Sequence, residues 1–296
     1  SNKNLDLTFS SKLYFFAIAL IFGGILACFK WVFVPYSYWL DELYSVTLAS
    51  ESFKSGYPIL MSDVHPPLYQ ITLKIWILIF GDSEISSRVL SLSLSIISAS
   101  YLYLKTSKHG ITLGMIALLF FTTNWLFIFY ANETRSYSMM LLFSTILATN
   151  LPSKNEKLSF TFYLSCLLLS LTHYFGLFMA GIVLCAYMIK YIKRPRQILS
   201  IMFTGILCLF WPVYHLTFGT LLDKSSGNFW ITVDGFLDSL GIAAAGYFPA
   251  TGKFGGIIFI LILFFSLFSL VNSKKKLHFS NHDILYQAKI STIIIF

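Results

Sequence analysis

Charge is scarce in this chain. Only 11% of its 296 residues are charged, against roughly 25% in soluble domains. Long polar linkers, low-complexity tracts and repeats of fixed period are absent as well. Cysteine is rare and unpatterned: Cys28, Cys166, Cys185 and Cys208 all fall inside apolar runs, with no spacing for a disulfide frame or a metal knuckle. They read as small core hydrophobes. Acids are fewer than bases, 13 against 21, which leaves a formal charge of +8. The bases sit in short clusters between apolar runs, the pattern of membrane orientation rather than of a nucleic-acid surface.

What is abundant is apolar sequence. Hydrophobic residues make up 56% of the chain, aromatics 18%, and mean hydropathy is +0.73. The expected fold is an all-α polytopic membrane protein, a single transmembrane domain over 1–296. A hydrocarbon core takes ~20 apolar residues per helix. By that ruler spans are expected near 13–34, 86–104, 111–130, 136–150, 158–173, 175–190, 198–216 and 254–272, with a partial ninth from about 284. The chain starts without Met and stops inside an apolar run at Ile293 to Phe296, as expected of a chain whose C-terminal part is missing.

Counting Lys and Arg by side sets the orientation. With the N-terminus inside, 13 of 21 fall on the cytoplasmic side: Lys3, Lys12, Lys105, Lys108, Lys154, Lys157, Lys190, Lys193, Arg194, Arg196 and Lys274 to Lys276. The positive-inside rule then puts the N-terminus in the cytoplasm. The acids show the opposite bias: Asp6, Glu156 and Asp283 are inside, and the other ten are outside. Acids contribute little to orientation, so their bias points to chemistry on the extracytoplasmic face.

Two outer segments are long, 35–85 and 217–253. Long connections tend to be functional. In the first, a short helix is expected over 43–54 and another over 68–80, the latter led by Pro66-Pro67. Gly81-Asp82-Ser83-Glu84 is expected to cap the next helix, with Arg88 one turn in.

Three polar knots stand out: Asp41-Glu42, the stretch Asp63-Val64-His65-Pro66-Pro67-Leu68-Tyr69, and Glu133-Thr134-Arg135-Ser136-Tyr137. Asp41 and Glu42 are either solvated helix-capping acids or a base with a neighbour that orients it or binds a cation. The paired prolines would present Asp63 and His65 at a fixed angle, His65 for a phosphate or metal and Asp63 for a sugar hydroxyl. Arg135 offers a planar fork for phosphate, or else pairs internally with Glu133. His173 ends an expected span on the outer side, as an interfacial anchor or a ligand.

In this order these landmarks resemble the GT-C superfamily of membrane glycosyltransferases that use lipid-phosphate sugar donors. Within it they are similar to the bacterial relatives of protein O-mannosyltransferases and of the aminoarabinose transferase acting on lipid A (glycosyltransferase family 39-like). The stretches carrying the resemblance are HPPLYQITLKIWILIFGDSEISSRVLS, NETRSYSMMLLF and LLSLTHYFGLFM, within Trp39 to about Lys190. The resemblance implies a helical first extracytoplasmic loop, Asp41 as catalytic base with Glu42 beside it, and Asp63, His65, Tyr69, Glu133, Arg135, Tyr137 and His173 lining the donor-phosphate and acceptor site. It implies a polyprenyl-phosphate sugar donor, a glycan, lipid or protein acceptor, membrane lipid around the chain and a bacterial inner-membrane location. A divalent cation is a conditional expectation: Asp63, His65 and Glu133 would be its ligands, and no spacing demands one. Two other readings stay open, a lipid-linked saccharide transporter or flippase and a noncatalytic subunit of a glycan-assembly complex. Charges at span ends rather than span centres speak against transport.

Overall fold

The computed structural model describes residues 37–63, 65–152 and 157–219. The expected spans at 13–34, 254–272 and from 284, and nearly all of the segment 217–253, lie outside the described residues. Among the described residues every regular element is helical. In chain order these are α1 (Leu40–Ser50), α2 (Phe53–Met61), α3 (Leu68–Phe80), α4 (Glu84–Thr106), α5 (Ile111–Thr122), α6 (Trp125–Ala131), α7 (Tyr137–Thr149), α8 (Phe160–Thr172), α9 (Tyr174–Lys190) and α10 (Pro195–Phe218), with a 3-10 turn at Ser107–His109.

Among the described residues, two helical stretches, Glu84–His109 and Pro195–Phe218, are long and apolar enough to cross a membrane. Helices α7 and α8 have 13 residues each. At ~1.5 Å per residue they fall short of a ~30 Å hydrocarbon core. The single helix expected over 111–130 is two. Asn124 breaks it, because its side chain caps α6 by accepting the Leu126 N–H at 2.9 Å.

The outer segment also divides differently from expectation. Asp41 and Glu42 sit inside the first turn of α1 rather than ahead of it. The expected helix 43–54 ends at Ser50, and Ser52 starts α2 by accepting the Ser55 N–H. Lys74 on α3 donates to the carbonyls of Ala49 and Glu51. It thereby satisfies the C-terminal end of α1 and ties the two helices together. Helix α3 has the expected bounds, and Ser83 caps α4 by accepting the Ser86 N–H at 3.3 Å.

Helix α4 is the central strut, packed on α3, α5, α6 and α7. Its buried Ser87, Ser91, Ser95 and Ser98 recur every three or four residues. Such small side chains let a neighbouring helix come close. Ser98 donates to Thr145 on α7 at 2.9 Å. A second layer of α8, α9 and α10 packs around Phe162, Cys166, Leu169, Ala180, Leu184, Ile201 and Cys208. Gly176 permits the tight α8–α9 corner: a Cβ there would lie 2.3 Å from the Leu169 carbonyl oxygen.

The two ends of the bundle differ in chemistry. At one end Lys105 donates to Asn150 at 2.8 Å and Lys190 to the Pro152 carbonyl at 3.3 Å. At the other, Arg88 grips Glu42 through two hydrogen bonds, Nε to Oε1 at 3.0 Å and Nη2 to Oε2 at 2.7 Å. Both side chains are shut off from solvent, at 0% and 1% exposure. The pair joins α1 to α4.

Breaking a buried pair strands a charge and costs roughly 3–5 kcal/mol, whereas replacing both partners by apolar groups is close to neutral. Arg88→Met and Glu42→Leu should each strongly lower the thermal midpoint of the detergent-solubilised protein. The double variant should recover most of the loss. Two losses that simply add would contradict the pairing.

Candidate functional site

The site is built on the buried Glu42 carboxylate. Besides Arg88 it accepts the backbone N–H of Thr134 at 2.9 Å and that of Trp39 at 3.4 Å. The Thr134 hydroxyl donates to Ser87 at 2.9 Å. These bonds seat the turn between α6 and α7 on top of α1 and α4. A turn seated in this way presents its flanking residues, Glu133 and Arg135, in fixed positions. With both oxygens taken, Glu42 holds the site together and leaves the open carboxylate to Asp41.

Arg135 is the hub. Nη1 donates to the Asp41 carbonyl at 3.3 Å and to Ser45 Oγ at 3.2 Å. Nη2 lies 3.6 Å from Asp41 Oδ2 and 3.4 Å from His65 Nε2. Nε is buried and has no partner. The expected alternative, an internal Glu133–Arg135 pair, is replaced by this bridge to Asp41. His65 Nδ1 lies 3.1 Å from Asp63 Oδ1. A carboxylate only accepts, so Nδ1 carries the proton and Nε2 accepts from Arg135. The result is a row, Asp63 to His65 to Arg135 to Asp41, in which His65 orients the guanidinium instead of facing an anion itself.

The row opens on a cleft lined by Ser45, His65, Pro66, Tyr69, Gln70, Arg135 and Ser136. Two helix N-termini meet there. Helix α3 starts after Pro67 and α7 after Ser136, and neither has a side-chain cap. The starts of both helices, whose ends carry the positive side of the helix dipole, thus contribute to the lining with Arg135: Tyr69 and Gln70 from the first turn of α3, and Ser136 just ahead of α7. The Asp41 side chain stands beside it, 44% exposed.

Tyr137 and His173 flank the row. Their rings are 5.2 Å apart, and His173 meets His65 edge-on at 4.9 Å. Phe175 N–H donates to His173 Nδ1 at 3.0 Å, which leaves the proton on Nε2, a buried donor with no partner. His215 is fully buried and structural. Its Nε2 donates to the Met61 carbonyl at 3.1 Å and its Nδ1 accepts from Tyr174 at 2.7 Å. That clamp fixes the chain just ahead of Asp63.

Of the expected site residues, His65, Tyr69 and Arg135 line the cleft, and Asp41, Asp63, Tyr137 and His173 touch that set. Glu42 lies buried against Arg88, and Glu133 is coupled electrostatically to Glu42 and Arg135. Ser45 and Gln70 join them without having stood out in the sequence, and Ser136, inside the third polar knot, lines the cleft as well. Gln70 had one signal: it is the third residue after a Pro-Pro pair. Among the described residues no group of three or more His, Cys, Asp or Glu converges to hold a metal, so Asp63, His65 and Glu133 do not form a ligand set.

Burial pushes the Glu133 carboxyl up from 4.5 to about 7, with Glu42 adding to the shift and Arg135 opposing it. A carboxyl raised on folding destabilises the fold once ionised. Stability is therefore full below 4.5, falls as pH rises through about 7, and is level above. Glu133→Gln should remove that slope, making the variant more stable than the wild type above pH 7 and equal to it near 4.5. Parallel melting curves across this range would contradict the assignment.

No protein-family model, curated protein or solved structure matches the chain.

Proposed function

We propose that this chain is a GT-C-like membrane glycosyltransferase, resembling the protein O-mannosyltransferase and aminoarabinose transferase group. It moves a sugar from a polyprenyl-phosphate donor to an acceptor hydroxyl at the extracytoplasmic face of a bacterial inner membrane. The observation that carries this reading is the convergence of Arg135 and two uncapped helix N-termini on one cleft, with an open carboxylate beside it. Helix N-termini bind phosphate through their free N–H groups, and a guanidinium adds charge and a second fork of donors. The leaving phosphate is already a stable anion, so binding it matters more than protonating it.

The reaction is one in-line displacement. The acceptor oxygen forms a bond to the anomeric carbon as the bond from that carbon to the phosphate oxygen breaks. Asp41 takes the hydroxyl proton, and polyprenyl phosphate leaves toward Arg135. Glu42 and His65 hold these two groups in place. Inversion of the anomeric centre follows.

The membrane setting rests on composition and surface. Helix α10 is apolar yet exposes Met202, Phe203, Ile206, Leu209, Phe210 and Val213, a face that suits lipid rather than water. The acids of the site lie at one end of the bundle and Lys105 and Lys190 at the other. This separation agrees with the orientation counted from the sequence.

Asp41→Asn should abolish transfer while the protein still inserts and binds polyprenyl phosphate. Normal turnover in that variant would remove Asp41 as the base. Arg135→Ala should raise KM for the donor by at least about tenfold, the loss expected of a charge-assisted hydrogen bond. Unchanged KM and kcat would take Arg135 out of the site.

A further inference from the structure

Gln70 is a buried polar side chain whose carbonyl oxygen has no hydrogen-bond partner. It is 7% exposed, it lines the Arg135 cleft, and its Oε1 is sealed from solvent without a hydrogen-bond partner. Buried polar atoms are nearly always paired, and an orphan costs roughly 1–3 kcal/mol. The local sequence explains how it came to be orphaned. Gln70 is the third residue of α3, where a Gln side chain ordinarily folds back onto the N–H of the capping residue. Here the capping residue is Pro67, preceded by Pro66, and neither has an N–H to give. The prolines start the helix and at the same time withhold the donors that Gln70 would capture.

The neighbourhood adds a direction. Gln70 belongs to the uncapped first turn of α3, and Arg135 and Ser136 line the same cleft. Of the other polar side chains there, Ser45 is already committed: its hydroxyl donates to the Asp41 carbonyl at 2.9 Å and accepts from Arg135. The Tyr69 hydroxyl is buried without a partner as Gln70 Oε1 is, but it is a phenol and not a carboxamide. An anion held by Arg135 therefore has one uncommitted amide beside it. A carboxamide accepts and donates, so it matches a hydroxyl on a group esterified to that anion.

We propose that Gln70 reads the sugar of the donor, bonding a hydroxyl of the ring whose phosphate Arg135 holds. This rests on the polyprenyl-phosphate reading above and names the residue that would distinguish a sugar ester from the bare lipid phosphate. A site built around a buried hydrogen-bonding group rejects ligands that leave the group unpaired, so Gln70 sets specificity as well as affinity.

The test measures binding to the purified full-length protein, with decaprenyl phosphate, decaprenyl-phosphate mannose and decaprenyl-phosphate arabinose as probes. The wild type should hold one sugar ester at least about tenfold more tightly than decaprenyl phosphate, the factor of one hydrogen bond. Gln70→Met should erase that ratio and leave decaprenyl phosphate affinity as it was. Gln70→Asn keeps the amide but falls one methylene short; it should shrink the ratio as well, and it guards against a Gln70→Met variant that does not fold. A ratio unchanged in the variants, equal weakening toward all three probes, or no sugar preference in the wild type would each overturn the proposal. Failure of the wild type to bind decaprenyl phosphate at all would overturn the donor reading itself, and the sugar reading with it.

Discussion

The site depends on one interaction, the ion pair of Glu42 and Arg88 sealed inside the protein. Each charge would be costly to bury alone, so the pair exists only if both helices are docked in register. Arg88 is fixed by α4, and Glu42 by the first turn of α1. The Glu42 carboxylate then has room for one more strong donor, and the Thr134 N–H takes it. The α6–α7 turn is thereby placed, and with it Glu133 and Arg135. Asp41 is the neighbour of Glu42 on α1 and points about 100° away from it, which carries it from the buried pair to the edge of the cleft. One buried pair thus holds the two open groups of the proposed chemistry, the carboxylate and the guanidinium.

The second constraint is the absence of donors in Pro66-Pro67. The prolines leave the start of α3 uncapped and leave Gln70 unpaired, both on the Arg135 cleft. The His215 clamp on Met61 fixes the same segment from the other side. Rigid backbone, an oriented arginine and helix N-termini suit the binding of a phosphate ester that gains one negative charge as its bond to the sugar breaks. The apolar helices keep this polar end in one piece.

Much of this was legible from residue type and spacing. Helices α3, α4, α7, α8, α9 and α10 lie within a few residues of the apolar runs, because hydrophobic runs and Ser or Pro starts are local signals. The break at Asn124 was not, since a single capping residue inside an apolar run leaves hydropathy almost unchanged. The residues of the site stood out as charges placed where charge is rare. Their pairing did not, for it depends on which helix faces which. Thus Arg135 bridges to Asp41 across 94 positions instead of to Glu133 beside it, and Arg88 meets Glu42 across 46. The split between Asp41 and Glu42 was visible as an angle on a helix. That Glu42 is the one turned inward comes only from the packing.

Transfer from a lipid-phosphate sugar would couple the fate of the donor lipid to that of the sugar. The purified protein is incubated in lipid with polyprenyl-phosphate sugar labelled in both halves and with envelope acceptor, and the two products are followed together. Polyprenyl phosphate should be released in step with sugar transferred, and the new linkage should be inverted at the anomeric carbon. Retention of configuration, or intact donor moved across the bilayer without release, would contradict such a transfer.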